Sequence, residues 1–195
     1  MICTIQELYQ IYHEYTDPLG KIHREVKKNR LFPLVKGLYE TDSSTPGHYL
    51  SGYIYGPSYL SFEYALFFYG MIPERVYTYT NASFNKNRSK RYTNAFGVYT
   101  YRDVPKNAFP MGLQSHLENG YSFLIATPEK AICDRIYIAP TQTSMKAIQR
   151  LLFEDLRIDQ DSFRRLNLLA MKDLCELYPS SNLKLLKKWL EKEGY

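Results

Sequence analysis

Asp17-Pro18-Leu19-Gly20-Lys21-Ile22-His23-Arg24-Glu25-Val26-Lys27-Lys28, followed by Leu31-Phe32-Pro33-Leu34-Val35-Lys36-Gly37-Leu38-Tyr39, is the stretch from which the N-terminal fold is read. Asp17 offers a side-chain oxygen to an orphan helix N–H, and Pro18 stands at the first helical position, where its missing N–H costs nothing. On the helix this predicts, Leu19, Ile22 and Val26 share one face while Lys21, Arg24 and Lys28 share another. The chain then changes to short apolar runs broken by Pro33 and by Lys36-Gly37, which predicts two small strands around a tight turn. Upstream, Thr4-Ile5-Gln6-Glu7 has the spacing of a capping box, and Ile5, Leu8, Ile11, Tyr12 and Tyr15 recur at helical steps through about residue 15. Helix, turn, basic helix and β-hairpin is the order of a winged helix-turn-helix in trimmed form. The same pattern also fits a helical hairpin that only supports the rest of the chain.

Asp42 to Gly47 reads Asp-Ser-Ser-Thr-Pro-Gly, a linker composition, so one domain is expected over residues 1–42 and a second over 48–195. In the second, a Tyr- and Phe-rich helix after Gly56-Pro57-Ser58 should end at Gly70, with Pro73 blocking its continuation. Strands are predicted over about 75–80, 95–104 and 121–126, with a basic loop over about 84–91 between the first two. Thr127-Pro128 repeats the capping logic of Asp17-Pro18, and helices are expected over about 127–195. Their core faces should carry Leu151, Leu152, Phe163, Leu166, Leu169, Leu174, Leu185, Leu186, Trp189 and Leu190. The fold class is therefore α+β: a winged helix-turn-helix, then a mixed domain with a small, mainly antiparallel sheet over about 75–126 and a helical C-terminal third.

With 195 residues, 45% of them hydrophobic and 23% charged, the chain can bury a core, and disordered or fibrous classes are excluded. Its longest apolar run, Tyr64 to Tyr69, falls far short of the roughly 18–20 residues a membrane span needs. The first residues, Met1-Ile2-Cys3-Thr4-Ile5-Gln6-Glu7, lack the pattern of a secretory signal, and a cytoplasmic location is expected. Cys3, Cys133 and Cys175 are far apart and odd in number, which fits a reducing compartment. His13, His23, His48 and His116 lack metal-ligand spacing, so no metal or cofactor is expected.

Charge is segregated along the chain. Lys21, Arg24, Lys27, Lys28, Arg30 and Lys36 face one acid, Glu25, and Lys86, Arg88, Lys90, Arg91, Arg102 and Lys106 face one acid, Asp103. Each segment carries +5 within a chain whose net charge is +5, so the remainder carries −5. A solvated face mixes signs, whereas cations opposite an apolar helix stripe suit phosphates. The candidate duplex-binding residues are Lys21, Arg24, Lys27, Lys28, Arg30, Lys36, Lys86, Arg88, Lys90 and Arg91, with Tyr92 as a further contact. Tyr53, Tyr55, Tyr59, Tyr64 and Tyr69 instead read as an aromatic core.

No nucleophile elbow, Walker lysine or zinc-protease motif is present, and Glu25-Val26-Lys27 has the order of a metal-nuclease strand but falls on a predicted helix. The most site-like remaining group is Glu129, Lys130 and Asp134, with Lys130 and Asp134 one helical turn apart. Such a pair on an exposed face contributes only a few tenths of a kcal/mol. It keeps open an alternative in which the chain is an enzyme acting on nucleic acid or nucleotides.

Three ordered segments resemble the AbiEi antitoxins of bacterial type IV toxin-antitoxin systems, which act in abortive phage infection. Arg30-Leu31-Phe32-Pro33-Leu34-Val35-Lys36-Gly37-Leu38-Tyr39 resembles the wing of their N-terminal winged helix. Tyr59-Leu60-Ser61, Ala65-Leu66 and Tyr69-Gly70-Met71-Ile72-Pro73 are similar to the helix that opens their antitoxin domain. Ala126-Thr127-Pro128-Glu129-Lys130-Ala131-Ile132-Cys133-Asp134 is similar to their P-E-K-A-x-x-D helix start. The resemblance implies a non-catalytic transcriptional repressor of its own operon. It also implies an antitoxin that counteracts a co-expressed nucleotidyltransferase-like toxin without a stable complex.

Overall fold

The computed structural model describes residues 1–194. The first forty residues form β1 (Ile2–Thr4), α1 (Ile5–Ile11), α2 (Pro18–Lys27), β2 (Phe32–Val35) and β3 (Leu38–Glu40). Thr4 closes the expected capping box: its hydroxyl accepts the Glu7 N–H at 3.2 Å, and the Glu7 carboxylate accepts the Thr4 N–H at 2.7 Å. α1 stops at Ile11, so the apolar stripe expected through residue 15 is cut short, leaving Ile11 and Tyr15 exposed. The strands pair antiparallel in the order β1-β3-β2 around the turn at Gly37, whose φ of +79° favours glycine. Cys3, Leu8, Ile22 and Leu31 bury between the helices and this sheet. Leu19, assigned to the same face, is exposed because it lies beyond the end of that small core.

A 3₁₀ turn at Gly47–Leu50 leads into α3 (Ser51–Ile54) and a second sheet. That sheet comprises β4 (Ser58–Leu60), β5 (Thr78–Ser83), β6 (Lys90–Asn94), β7 (Gly97–Asp103), β8 (Leu113–Glu118) and β9 (Tyr121–Ala126), in the order β6-β7-β5-β4-β9-β8. This corrects the expectation of a small, mainly antiparallel sheet over about 75–126. The sheet is six-stranded and mixed, with β5 parallel to β7 and β4 parallel to β9, and it begins at Ser58. The three-residue β4 is too short to show an alternation, yet it lies in the middle and bridges two hairpin-containing halves.

α4 (Phe62–Phe68) connects β4 to β5. It ends in a Schellman motif at Gly70, φ +65°, with Met71 N–H on the Leu66 carbonyl (2.8 Å) and Gly70 N–H on that of Phe67 (2.9 Å). The C-terminal helices are α5 (Pro128–Tyr137), α6 (Met145–Arg150) running into a π turn at Leu151–Asp155, α7 (Gln160–Arg164), α8 (Leu168–Glu176) and α9 (Ser181–Lys192). Phe163, Leu166, Leu169 and Leu174, assigned to core faces, do not share one helix: Asn167 separates α7 from α8 and caps α8 through the Ala170 N–H at 3.0 Å. The restart changes the phase, so Leu168, Met171, Leu174 and Cys175 bury while Leu169 is 68% exposed.

The main core lies between the sheet and these helices, around Tyr59, Leu60, Ile125, Ile132, Leu152, Phe163, Leu186 and Leu190. A second cluster joins Leu34 of β2 to Leu50, Ile54, Tyr99 and Tyr101. In the intervening stretch 42–47, Asp42, Ser43, Ser44 and Pro46 are exposed while Thr45 and Gly47 are buried, and the Tyr99 hydroxyl donates to the Gly47 carbonyl at 3.1 Å. A Cβ at residue 47 would stand 2.4 Å from the Tyr79 ring and 2.6 Å from the Phe96 carbonyl, so the close approach requires glycine. Among the described residues no helix is long and apolar enough to cross a membrane.

Candidate nucleic-acid interface

Asp17 Oδ1 accepts the Gly20 N–H at 2.8 Å and starts α2 as its sequence predicts. Asn29, φ +54°, ends it by bringing the Arg30 N–H onto the Glu25 carbonyl (3.0 Å) and its own N–H onto that of Val26 (3.0 Å). Ile22 anchors the inner face with no exposed surface. Glu25, the one acid of the first basic segment, is also turned inward and is 4% exposed. It accepts Lys21 Nζ at 2.8 Å and lies 3.6 Å from Arg30 Nη1. Lys21 Nζ further stands 4.9 Å above the Tyr15 ring and 5.6 Å above that of Tyr12. What remains outward on α2 and the turns beyond it is Arg24, Lys27, Lys28, Arg30 and Lys36, all exposed.

The Lys21 ammonium holds the Glu25 carboxyl below its ordinary range, and the same hydrogen bond raises Lys21. A depressed carboxylate stabilises the fold above its unfolded pKa and loses that contribution as pH falls through its folded value. Glu25→Gln is therefore expected to lower the thermal midpoint at neutral pH. The difference from wild type should vanish as the pH drops below the carboxylate range in circular-dichroism melts. A difference independent of pH would show that the carboxylate charge is not what stabilises this turn.

In the second basic segment, residues 84–89 are a loop, but Lys90 and Arg91 belong to β6, which corrects the expectation of a loop through residue 91. Its acid is likewise engaged: Asp103 Oδ2 accepts the N–H groups of Lys86 and Asn87 at 2.7 Å each, and Oδ1 accepts the Ser83 hydroxyl at 2.8 Å. Lys86 reaches inward, donating to the Gly56 carbonyl at 3.1 Å over the Tyr55 ring. Arg88 and Arg91 are exposed and Lys90 is half-buried. Tyr92 is half-buried among rings, with its centroid 5.9 Å from both Tyr55 and Tyr101.

The two segments meet through their strands. β2 is an edge of the first sheet and β6 an edge of the second, and they adjoin. Asn94 Nδ2 donates to the Leu34 carbonyl at 3.3 Å, and Phe32 packs edge-on against Phe96 at 5.9 Å. Stretches about sixty positions apart in sequence thereby become neighbours. Neither Asn94 nor Phe96 stood out in the sequence, since both read as ordinary residues of a strand or turn. Among the ten candidate cations, Arg24, Lys27, Lys28, Lys36, Arg88, Lys90 and Arg91 make no ion pair with a described residue. Lys21 and Lys86 are committed to intramolecular partners.

Glu129, Lys130 and Asp134 are placed differently from the exposed helix face assumed for them. Lys130 and Asp134 have no exposed surface. Asp134 Oδ1 accepts Lys130 Nζ at 2.9 Å and the Tyr178 hydroxyl at 2.6 Å, and Oδ2 accepts the hydroxyls of Tyr59 at 3.0 Å and Ser61 at 2.7 Å. Lys130 also donates to the Tyr178 oxygen. Burial first, then the Asp134 charge, raises both tyrosine hydroxyls far above their usual range, so they act as donors. Glu129 faces elsewhere: its Oε1 accepts the Asn167 N–H at 2.9 Å and holds the start of α8. The core tyrosines are partly as expected, with Tyr59 and Tyr64 buried, while Tyr53 is 44% exposed.

A cleft of about 800 Å³ between β1 and the β8–β9 turn is lined by Asp42, Tyr49, Tyr53, Asn119 and Tyr121, and none of the candidate cations borders it. Among the described residues no group of three or more His, Cys, Asp or Glu side chains is arranged to hold a metal ion. No protein-family model matches this chain, and no curated protein matches it.

Proposed function

We propose that the chain is a DNA-binding transcriptional autorepressor that recognises the duplex upstream of its own gene. The observation that carries this reading is the seam between β2 and β6. It sets two +5 segments side by side while their two acids, Glu25 and Asp103, are occupied within the protein. Outward cations without internal partners are the electrostatic footprint of a polyanion-binding surface. The β1-α1-α2-β2-β3 order suits a short winged helix in which α2 is the reading helix and the turn at Lys36-Gly37 the wing. In this reading α2 enters the major groove, where base edges are distinguishable, and residues 88–91 grip phosphates.

Binding of an upstream duplex and of a random duplex by substituted chains tests this division. Arg24→Ala and Lys28→Ala are expected to weaken operator binding more than random binding, by about 1–3 kcal/mol of discrimination for a base-contacting side chain. Arg88→Ala and Arg91→Ala should weaken both alike. Equal losses from all four would overturn the assignment of roles.

The resemblance to AbiEi antitoxins supports a second role, neutralisation of a co-expressed nucleotidyltransferase-like toxin without a stable complex. Growth rescue in cells making such a toxin tests it. Rescue should persist in chains carrying Arg24→Ala and Lys28→Ala, because the role is assigned to residues beyond about 48. In the enzymatic alternative built on Glu129, Lys130 and Asp134, the last two are buried.

A further inference from the structure

Asp103 lies in the second cationic segment, between Arg102 and Lys106, where a free carboxylate would repel the phosphates that its neighbours attract. Its position is set by β7, which runs parallel to β5 and places Asp103 opposite Ser83. From there it gathers the start of the loop between β5 and β6. Three donors converge on its two oxygens: Lys86 N–H, Asn87 N–H and the Ser83 hydroxyl, all within 2.8 Å. The loop can wrap the carboxylate because Asn85 and Asn87 take left-handed conformations, φ +56° and +54°, which asparagine tolerates better than other non-glycine residues. Lys86 adds a second tether through the Gly56 carbonyl and the Tyr55 ring. The first half of the loop is thus tied down, and the chain leaves it toward Arg88 and Arg91, which are exposed.

We propose that Asp103 is a positioning residue for duplex binding: it holds the 84–89 loop in shape and so pre-orders Arg88 for phosphates, beside Lys90 and Arg91, which β6 already fixes against β7. The proposal rests on the duplex-binding reading and adds to it an acidic residue whose charge is unfavourable to binding and whose geometry favours it. Hydrogen bonds from amides to a carboxylate are among the stronger ones, and ordering a loop before binding removes an entropic cost from association.

The two possible roles of Asp103 predict opposite signs. If it were a bystander, removing one negative charge beside the contact surface would tighten binding to any duplex. If it positions the loop, Asp103→Ala weakens binding to a random duplex by about 2- to 10-fold, the cost of ordering one rotamer-rich side chain or a short loop on association. Asp103→Asn, which keeps the shape and one acceptor oxygen, should fall between. Arg88→Ala should then cost less in the Asp103→Ala background than in the wild type, the coupling expected of residues acting as one unit. In hydrogen exchange, the Lys86 and Asn87 amides should be protected in the wild type and lose protection in Asp103→Ala, while the thermal midpoint reports that the fold persists. Should Asp103→Ala fail to fold, the isosteric Asp103→Asn carries the same comparison of sign. Wild-type binding with unchanged or tighter binding by the folded variant overturns the positioning role alone. A wild-type chain that binds no duplex at all overturns the duplex-binding reading and this proposal with it.

Discussion

Replacing Asp134 with alanine is expected to destabilise the chain by about 3–5 kcal/mol, the range for removing one partner of a buried ion pair. The loss follows from what the carboxylate holds. Without it, Lys130 Nζ keeps the Tyr178 oxygen and the ring faces of Tyr59 and Tyr178 but no counter-charge, and the hydroxyls of Tyr59, Tyr178 and Ser61 lose their acceptor. A buried ammonium without a counter-charge is the costliest of these. Against total stabilities of about 5–15 kcal/mol, this loss removes a large share of the folded state. Lys130→Met should cost less, because Asp134 would still accept three hydroxyls. Combining Lys130→Met with Asp134→Leu should recover part of the single Asp134→Ala loss, since apolar groups of similar volume replace a desolvated pair. Urea unfolding followed by far-ultraviolet circular dichroism reads all three. A midpoint for Asp134→Ala equal to wild type would mean that the network contributes nothing to stability.

Binding to the upstream duplex is expected to weaken steeply with salt. If about six of the outward cations meet phosphates, the slope of log affinity against log salt should be about −5, at roughly 0.9 per contact. Between about 50 and 200 mM salt this is about a thousandfold loss. The random duplex should show a similar slope at lower affinity, because phosphate contacts carry no sequence information. Fluorescence anisotropy on labelled duplexes across a salt series measures both. An affinity flat over that range would remove phosphate binding as the purpose of the two basic segments.

The buried pair and the basic surface show which parts of the molecule the sequence displays. Lys130 and Asp134 are visible as an i,i+4 pair, but nothing in their own segment says that β4 and the end of α8 cover them. Tyr59, Ser61 and Tyr178 are 44 to 75 positions away from the residues they contact along the chain. The basic segments are legible as charge, since composition alone separates them from the net-acidic remainder. The Lys21–Glu25 pair lies one helical turn apart, but that Lys86 turns to an internal partner is not legible, because it depends on the Gly56 carbonyl and the Tyr55 ring being in reach. β1 and β4 escape a sequence reading because three residues are too few to show a period of two, and neither is joined by a tight turn to a neighbouring strand, as Lys36-Gly37 joins the equally short β3 to β2.

What the sequence determined by itself is whatever closes within about four residues. The caps at Thr4, Asp17 and Thr127, the Gly70 helix stop and the Lys36-Gly37 turn each depend on a hydrogen bond or a backbone conformation local to them. Charge segregation belongs with these, because it is a property of composition. The tertiary structure alone decided which strands neighbour which, which i,i+4 pair is buried and which acids face inward. Those outcomes depend on the surface that another part of the chain brings against a segment, and a segment's own residues do not specify its cover. The β2–β6 seam is of this kind: two edge strands, ordinary when taken singly, place one basic segment beside the other only when both sheets are formed.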